Sequence, residues 1–212
     1  MWPGQGAGRD DPPRPGRGAD RARDRLPHAV LFDRDGTLVV DVPYNGDPDR
    51  VEPMPTAHRA VRLLRESGVP VAVVSNQSGV GRGVLTRRQV RAVAARVDAL
   101  LGPFALWAVC PHGPRDGCRC RKPAPGLVLA ACKALGADPR RTVVIGDIGA
   151  DVSAARAAGA TGVLVPTPVT RPEEVRAAGR TAADLLGAVR LVLGGGTAPG
   201  PGAAGEPGGA PW

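Results

Sequence analysis

Residues 31–38 read Leu-Phe-Asp-Arg-Asp-Gly-Thr-Leu, and the fold can be worked out from this stretch. The apolar run that leads into it predicts a buried strand, which ends where Gly36 permits a tight turn. Asp33 and Asp35 are then expected at the carboxyl edge of a sheet, where open α/β proteins keep their sites. One carboxylate there can attack a phosphorus atom while the other moves a proton. An ordinary acidic turn is the alternative interpretation, and a calcium loop is disfavoured because no glutamate closes it at the required spacing.

Apolar and amphipathic segments alternate along the rest of the chain. Val-rich, almost continuously apolar runs predict strands at residues 29–32, 69–75, 104–109, 142–145 and 162–165. Helices are predicted over 57–64, after a Thr86-x-x-Gln89 capping box, from Pro125 to Gly136, over 150–158, and after caps at Thr170 and Thr181. Strands that are apolar on both faces and alternate with helices predict an α/β fold with a three-layer, doubly wound parallel sheet. The segment 39–55 is at most a small flap, so no large cap domain is expected.

Both ends of the chain differ in composition from its middle. Residues 1–26 are rich in Gly, Pro, Arg, Asp and Ala, and residues 194–212 are almost entirely Gly, Pro and Ala. Segments of this kind cannot bury enough apolar surface to offset the entropy of ordering. They are predicted to be disordered tails on either side of one domain at residues 27–193.

The charge and hydropathy pattern narrows the class of partner. The formal net charge is +8, carried mainly by arginine, but aromatic residues make up only 3% of the chain, so a nucleic-acid partner is disfavoured. No apolar run approaches the roughly 18 residues of a membrane span, and the N-terminus lacks the apolar core of a signal peptide. A monomeric, cytoplasmic protein acting on a small molecule is the resulting expectation.

Polar residues at the next predicted strand end suit phosphate binding. Ser75, Asn76, Gln77 and Ser78 form a turn whose hydroxyl and backbone N–H groups could donate to a phosphoryl oxygen, although such residues also form ordinary loops. Lys122 is one of only two lysines in the chain and could supply a compact positive charge beside the carboxylates.

The fourth predicted strand also ends in a carboxylate. Asp147 follows Gly146 directly and suits a Mg²⁺ ligand, because this ion prefers oxygen donors. Asp151 fits the first turn of a helix, with at most an indirect role at the site.

Three cysteines and one histidine lie within eleven residues. Cys110, His112, Cys118 and Cys120 match the donor set of a closed Cys₃His zinc site, which would also fix the position of the adjacent Arg121 and Lys122. A disulfide or free thiols are the alternatives. Cys132 lies on an apolar helical face and is expected to be a buried core residue.

The four strand-end motifs, in this order, resemble those of the haloacid dehalogenase (HAD) phosphohydrolases. The string CPHGPRDGCRCRKP resembles the zinc loop of one branch, the D-glycero-D-manno-heptose 1,7-bisphosphate 7-phosphatases, with the histidinol-phosphate phosphatase domain as a close relative. The resemblance covers about residues 28–190. It implies a HAD-like Rossmannoid fold with a zinc-bound loop and a phosphomonoesterase that requires magnesium.

The resemblance also implies roles for individual residues. Asp33 would be the nucleophile that becomes an aspartyl phosphate, and Asp35 the acid and base. Magnesium would be held by Asp33, Asp147 and the Asp35 carbonyl. Phosphate and substrate would be bound by Asp41, Tyr44, Ser75, Asn76, Gln77, Ser78, Arg121 and Lys122.

One position departs from the pattern of the heptose enzymes. Ile148 stands where they usually carry a lysine, which leaves the sugar open. A heptose 1,7-bisphosphate cleaved at the 7-phosphate is the predicted substrate, and histidinol phosphate is the alternative. A zinc-stapled interaction module without activity and a nucleic-acid 3′-phosphatase are the alternatives of other kinds.

Overall fold

The apolar run before Asp33 forms the central strand of a parallel sheet. The computed structural model describes residues 26–194, and its strands are β1 (Ala29–Phe32), β2 (Val71–Asn76), β3 (Trp107–Cys110), β4 (Thr142–Gly146) and β5 (Thr161–Leu164). Their order is β3-β2-β1-β4-β5, and every pairing is parallel. The carboxyl ends of β1, β2 and β4 therefore meet at one edge of the sheet, as the sequence predicted.

Helices cover both faces of this sheet. They are α1 (Ala57–Glu66), α2 (Ser78–Gly81), α3 (Arg87–Leu101), α4 (Gly126–Leu135), α5 (Gly149–Ala157), α6 (Pro172–Ala177) and α7 (Leu185–Leu193), with 3₁₀ turns at Pro48–Arg50 and Pro139–Arg141. On β1, Val30 and Phe32 face one buried apolar cluster, which includes residues of α1, α3 and α7. Ala29 and Leu31 face a second cluster, which includes residues of α4 and α5. Two cores separated by one sheet confirm the three-layer α/β fold.

The local helix signals were partly right. Thr86 accepts from the Gln89 backbone N–H at 3.2 Å, and the Gln89 side chain accepts from the Thr86 N–H at 2.9 Å, so the predicted capping box is present. The caps predicted at Thr170 and Thr181 are wrong. Helix α6 begins after Arg171, and α7 begins after Asp184, whose carboxylate accepts from the Gly187 N–H at 2.7 Å.

Two strands begin later than predicted because neighbouring groups take their backbone bonds. The Val69 N–H is bonded to the Leu64 carbonyl at the end of α1, and β2 starts only after Pro70. The Phe104 N–H is bonded to the Asp98 carboxylate at 3.1 Å, and β3 starts at Trp107.

The predicted domain at residues 27–193 lies within the described residues. Leu26, which was assigned to the tail, packs against the first core cluster. The predicted tails otherwise lie outside the described residues. Between β1 and α1 the chain forms only a 3₁₀ turn and isolated bridges, so residues 26–194 contain no large cap domain. None of the helices in this range has the length and apolarity that crossing a membrane requires.

Candidate active site

The carboxyl edge of the sheet holds a cleft of about 390 Å³. Of the residues predicted for the site, those that line it are Asp33, Asp35, Asp41, Tyr44, Asn76, Gln77, Ser78, Arg121, Lys122 and Asp147. Ser75, also predicted, is buried at the end of β2 and is not part of the lining. The cleft therefore brings together residues from five separate segments of the chain.

A buried lysine joins two carboxylates beneath the cleft. The Lys122 ammonium donates to Asp33 Oδ1 and to the Val74 carbonyl, both at 2.7 Å, and pairs with Asp151 Oδ1 at 2.5 Å. Lys122 is only 3% exposed. Burial disfavours its charged form, but the two carboxylates outweigh this and raise the Lys122 pKa above its ordinary value. Lys122 therefore holds Asp33 in place, and Asp151 holds Lys122. Asp151 thus contributes more to the site than its place in the first turn of α5 predicted.

Three buried carboxylates could hold a metal ion. One oxygen each of Asp33, Asp147 and Asp151 lies within 4.8 Å of the others. Burial and the charge of Asp33 raise the pKa of Asp147 to about 8. Because the donors are all oxygens and their ionised forms need a positive charge nearby, the set fits a hard cation such as Mg²⁺.

The loops around Asp147 bring backbone and hydroxyl groups very close to this residue. Gly36 has φ +74°, and a Cβ placed there would collide with the Asp147 carboxylate. The Thr37 hydroxyl lies 3.4 Å from Asp147 Oδ1, and the Thr170 hydroxyl donates to the Asp147 carbonyl at 2.7 Å. Thr170, predicted as a helix cap, thus holds the loop that carries Asp147 instead.

The second carboxylate of the motif is held by its neighbours. Arg34 donates through Nε to Asp35 Oδ1 and pairs through Nη2 with Oδ2, both at 2.9 Å. Gln77 Nε2 donates to Asp35 Oδ2 at 2.8 Å and to Ser75 Oγ at 2.9 Å. Burial raises the pKa of Asp35, and the Arg34 charge acts in the opposite direction. Arg34 was not among the predicted site residues, although its place between two aspartates was a signal.

Asn76 contacts the backbone that carries Lys122. Its amide nitrogen donates to the Lys122 carbonyl at 3.0 Å, and its amide oxygen accepts from the Lys122 N–H at 3.1 Å. This side chain lines the cleft, and its hydrogen bonds join the end of β2 to the segment that follows Cys120.

The rim of the cleft is partly aromatic and partly apolar. The exposed Tyr44 ring lies under Arg82, whose guanidinium is 5.8 Å from the ring centroid and donates to the Tyr44 hydroxyl at 2.6 Å. Ile148 and Val169 also line the cleft and are 37% and 77% exposed. Arg121 also lines the cleft, and its guanidinium donates to the His112 carbonyl at 3.2 Å. Ile148 and Val169 in the lining, and Arg82 against Tyr44, are residues that motif spacing did not predict for the site.

The predicted zinc ligands form one cluster. Donor atoms of Cys110, His112, Cys118 and Cys120 lie within 4.8 Å of one another, with sulfur–sulfur separations of 3.3 to 3.7 Å. All four cysteines are free thiols, so the disulfide alternative is excluded in this structure. Tetrahedral zinc with bonds of about 2.3 Å to sulfur needs separations of about 3.7 Å, so this donor set fits the ion.

The cysteine cluster is connected to the cleft through backbone bonds. The Gln77 N–H donates to the Cys110 carbonyl at 2.7 Å, and the Gly81 N–H donates to the Pro111 carbonyl at 2.9 Å. On the other side, the Arg121 N–H lies 3.4 Å from Cys118 Sγ. Cys132 lies outside the cluster, buried on α4, and contacts the Thr142 hydroxyl at 3.6 Å, as its predicted core position requires.

Comparison with known proteins places the chain in a family. Residues 119–190 match the family described as HAD-hydrolase-like. The D-glycero-β-D-manno-heptose-1,7-bisphosphate 7-phosphatase of Pseudomonas aeruginosa is 38% identical over 143 residues, which cover 65% of this chain and 80% of the relative. The Escherichia coli protein of the same name is 37% identical over 164 residues, which cover 71% and 85%.

A solved structure agrees with these relatives. The D,D-heptose 1,7-bisphosphate phosphatase from B. bronchiseptica, crystallised with magnesium and phosphate, matches with a TM-score of 0.70 at 28% identity. The match covers 79% of this chain and 99% of that chain. Since the chain covers four fifths or more of relatives that are 37–38% identical to it, it belongs to the HAD-like hydrolases and is a phosphatase.

Proposed function

We propose that this phosphatase hydrolyses a sugar phosphate, namely a heptose 1,7-bisphosphate at the 7-phosphate, through an aspartyl phosphate on Asp33. The observation that carries the proposal is the contact between Lys122 and Asp33 beside the carboxylate cluster. The names and extent of the relatives support the choice of sugar.

The geometry around Asp33 supports its role as the nucleophile. Lys122 holds Oδ1, and among the described residues no hydrogen bond is recorded to Oδ2, which is therefore the oxygen available to attack phosphorus. The Asp33–phosphorus bond forms as the bond from phosphorus to the sugar oxygen breaks, and Asp35 gives its proton to that oxygen. Water then attacks phosphorus and passes a proton to Asp35, and the Asp33–phosphorus bond breaks to release phosphate.

Two metal ions belong to this proposal. Asp33, Asp147 and the Asp35 carbonyl would hold Mg²⁺, which supplies positive charge to the phosphoryl oxygens when it is bound. The four residues of the cysteine cluster would hold Zn²⁺, which keeps the loop before Arg121 and Lys122 in place.

The remaining cleft residues would bind the substrate. Arg121 and Ser78 line the cleft and would meet negatively charged oxygens of the substrate, while Asp41 and Tyr44, also in the lining, would contact the sugar. A monomeric state and a cytoplasmic location remain predictions from the sequence.

The test is phosphate release from a panel that contains α- and β-heptose 1,7-bisphosphate, histidinol phosphate and common hexose phosphates. The largest kcat/KM is expected for a heptose bisphosphate, and Asp33→Asn should abolish turnover because an amide is a far weaker nucleophile. Asp138→Asn, at an exposed turn, is the matched control and should keep full activity. A preference for histidinol phosphate would overturn the proposed sugar, and normal turnover by a folded Asp33→Asn protein would overturn the mechanism.

A further inference from the structure

Asp35 is held by donors from two different segments. Arg34 contacts both carboxylate oxygens, and Gln77 contacts Oδ2 from the turn after β2. Arg34 and Gln77 are 2% and 5% exposed, so solvent competes little for these hydrogen bonds. A planar guanidinium that binds a carboxylate through two nitrogens also fixes the plane of that carboxylate.

The three hydrogen bonds distinguish the two oxygens of Asp35. Asp35 Oδ2 accepts from both Arg34 and Gln77, and these two hydrogen bonds occupy both lone pairs of Oδ2. Asp35 Oδ1 accepts only from Arg34 Nε. A proton can therefore be carried by Oδ1 without breaking a bond to Oδ2. Oδ1 is thus the oxygen of Asp35 that keeps a lone pair free of these hydrogen bonds, in a residue that lines the cleft.

Gln77 is itself fixed by the cysteine cluster. Its backbone N–H donates to the Cys110 carbonyl at 2.7 Å, and its side-chain amide also contacts Ser75 Oγ. The position of this donor thus depends on β2 and on the loop that would hold zinc. Gln77, predicted as a substrate contact, is bonded to protein groups through the same nitrogen that reaches Asp35.

We infer that Arg34 and Gln77 are positioning residues that orient Asp35 so that its Oδ1 delivers the proton to the leaving oxygen. The inference rests on the proposed phosphatase mechanism, and it assigns to both residues a function in proton transfer rather than in substrate binding. Replacement of either Arg34 or Gln77 should lower kcat/KM mainly for substrates whose leaving group must be protonated.

Two esters of similar shape separate this role from a general structural one. Benzyl phosphate releases an alkoxide that must be protonated, whereas 4-nitrophenyl phosphate releases a phenolate that can leave without a proton. Arg34→Met and Gln77→Met should lower kcat/KM for benzyl phosphate by about 100-fold and for 4-nitrophenyl phosphate by less than about 10-fold. Asp35→Asn should show the same preference and sets the scale, and Arg34→Lys should restore only part of the loss because one ammonium cannot span both oxygens.

Arg65→Met is the matched control, because Arg65 also makes two hydrogen bonds, to the Leu101 and Pro103 carbonyls, but lies away from the cleft. It should leave the ratio of the two rates unchanged. If Arg34→Met fails to fold, Gln77→Met alone decides. Equal losses on both esters in an active protein overturn this inference alone, whereas failure of the wild-type protein to release phosphate from any sugar phosphate of the panel overturns the proposed function.

Discussion

Lys122 is the residue on which the buried charges of the cleft depend. It faces Asp33 and Asp151, and none of the three can reach bulk water easily. Removing one partner from a buried ion pair leaves the others uncompensated, which typically costs about 3–5 kcal/mol.

Lys122→Met should therefore lower the free energy of unfolding by about 3–5 kcal/mol, measured by urea denaturation in magnesium-free buffer. Lys133→Met is a natural control, since Lys133 is the other lysine of the chain and is exposed on α4. A loss no larger than that of the control would mean that the carboxylates take up protons at little cost when the lysine is absent.

Asp147 makes the stability of the magnesium-free protein depend on pH. Burial and the Asp33 charge raise its pKa from 3.8 to about 8, so the folded protein keeps a proton there that the unfolded chain releases. The folded state binds more protons across this range, and its stability should fall as pH rises from about 4 to 8. Thermal unfolding at several pH values checks this, and Asp147→Asn should flatten the decline. Added Mg²⁺ should raise Tm more at pH 8 than at pH 5, because the cation favours the ionised form.

Sequence motifs could locate these reactive residues but not their partners. Asp33, Asp35 and Asp147 were predictable because each follows an apolar run that ends at the same sheet edge. The pairing of Asp35 with Arg34, and of Lys122 with Asp151, depends on side-chain directions that spacing does not specify. Thr170 shows the same limit, because its hydroxyl bonds a carbonyl 23 positions away rather than its own helix.

At the scale of elements, the loop between β3 and α4 brings together the residues that would hold zinc. Three thiols and one imidazole lie close together, and the same loop bonds to the turn after β2 through the Cys110 and Pro111 carbonyls. A zinc ion would therefore stabilise both the loop and the turn that holds Gln77.

We expect one zinc per chain, and Cys118→Ser should lose it together with most activity, as measured by elemental analysis and kcat/KM. Cys132→Ala is the matched control and should retain zinc, because Cys132 lies outside the cluster. Protein purified without chelators that contains no zinc would contradict the assignment.

Local sequence signals predicted the type of each element better than its ends. The capping box of α3 lies within four residues, and it formed as expected. The starts of β2 and β3 were misplaced because the ends of the preceding helices bind the backbone there: the Leu64 carbonyl accepts from the Val69 N–H, and the Asp98 carboxylate from the Phe104 N–H. Element type followed from hydrophobic periodicity, whereas element ends depended on individual hydrogen bonds that periodicity does not specify.

At the scale of the molecule, alternation of strands and helices was enough to predict a parallel, three-layer sheet. The strand order, with β1 between β2 and β4, followed from packing that the periodicity alone does not determine. The predicted domain limits rest on composition, and they can be tested directly.

A protein truncated to residues 26–194 should retain its fold and its kcat/KM, because the removed segments are rich in Gly and Pro and poor in apolar residues. Circular dichroism and kinetics on a small sugar phosphate provide the measurement. A tenfold lower kcat/KM, equivalent to about 1.4 kcal/mol of transition-state stabilisation, would show that the terminal segments contribute to catalysis.

The contact between Lys122 and Asp33 joins residues 89 positions apart, and that between Thr37 and Asp147 spans 110. A ribosome delivers Asp33 first and the residues that complete its surroundings only after more than half of the polypeptide has been made. A nascent chain therefore exposes the proposed nucleophile for some seconds, at about 5–20 residues added per second, without the lysine or the second carboxylate that would make it reactive. By the proposed mechanism, hydrolysis cannot begin until Lys122 and Asp147 have both been synthesised and have packed beside Asp33.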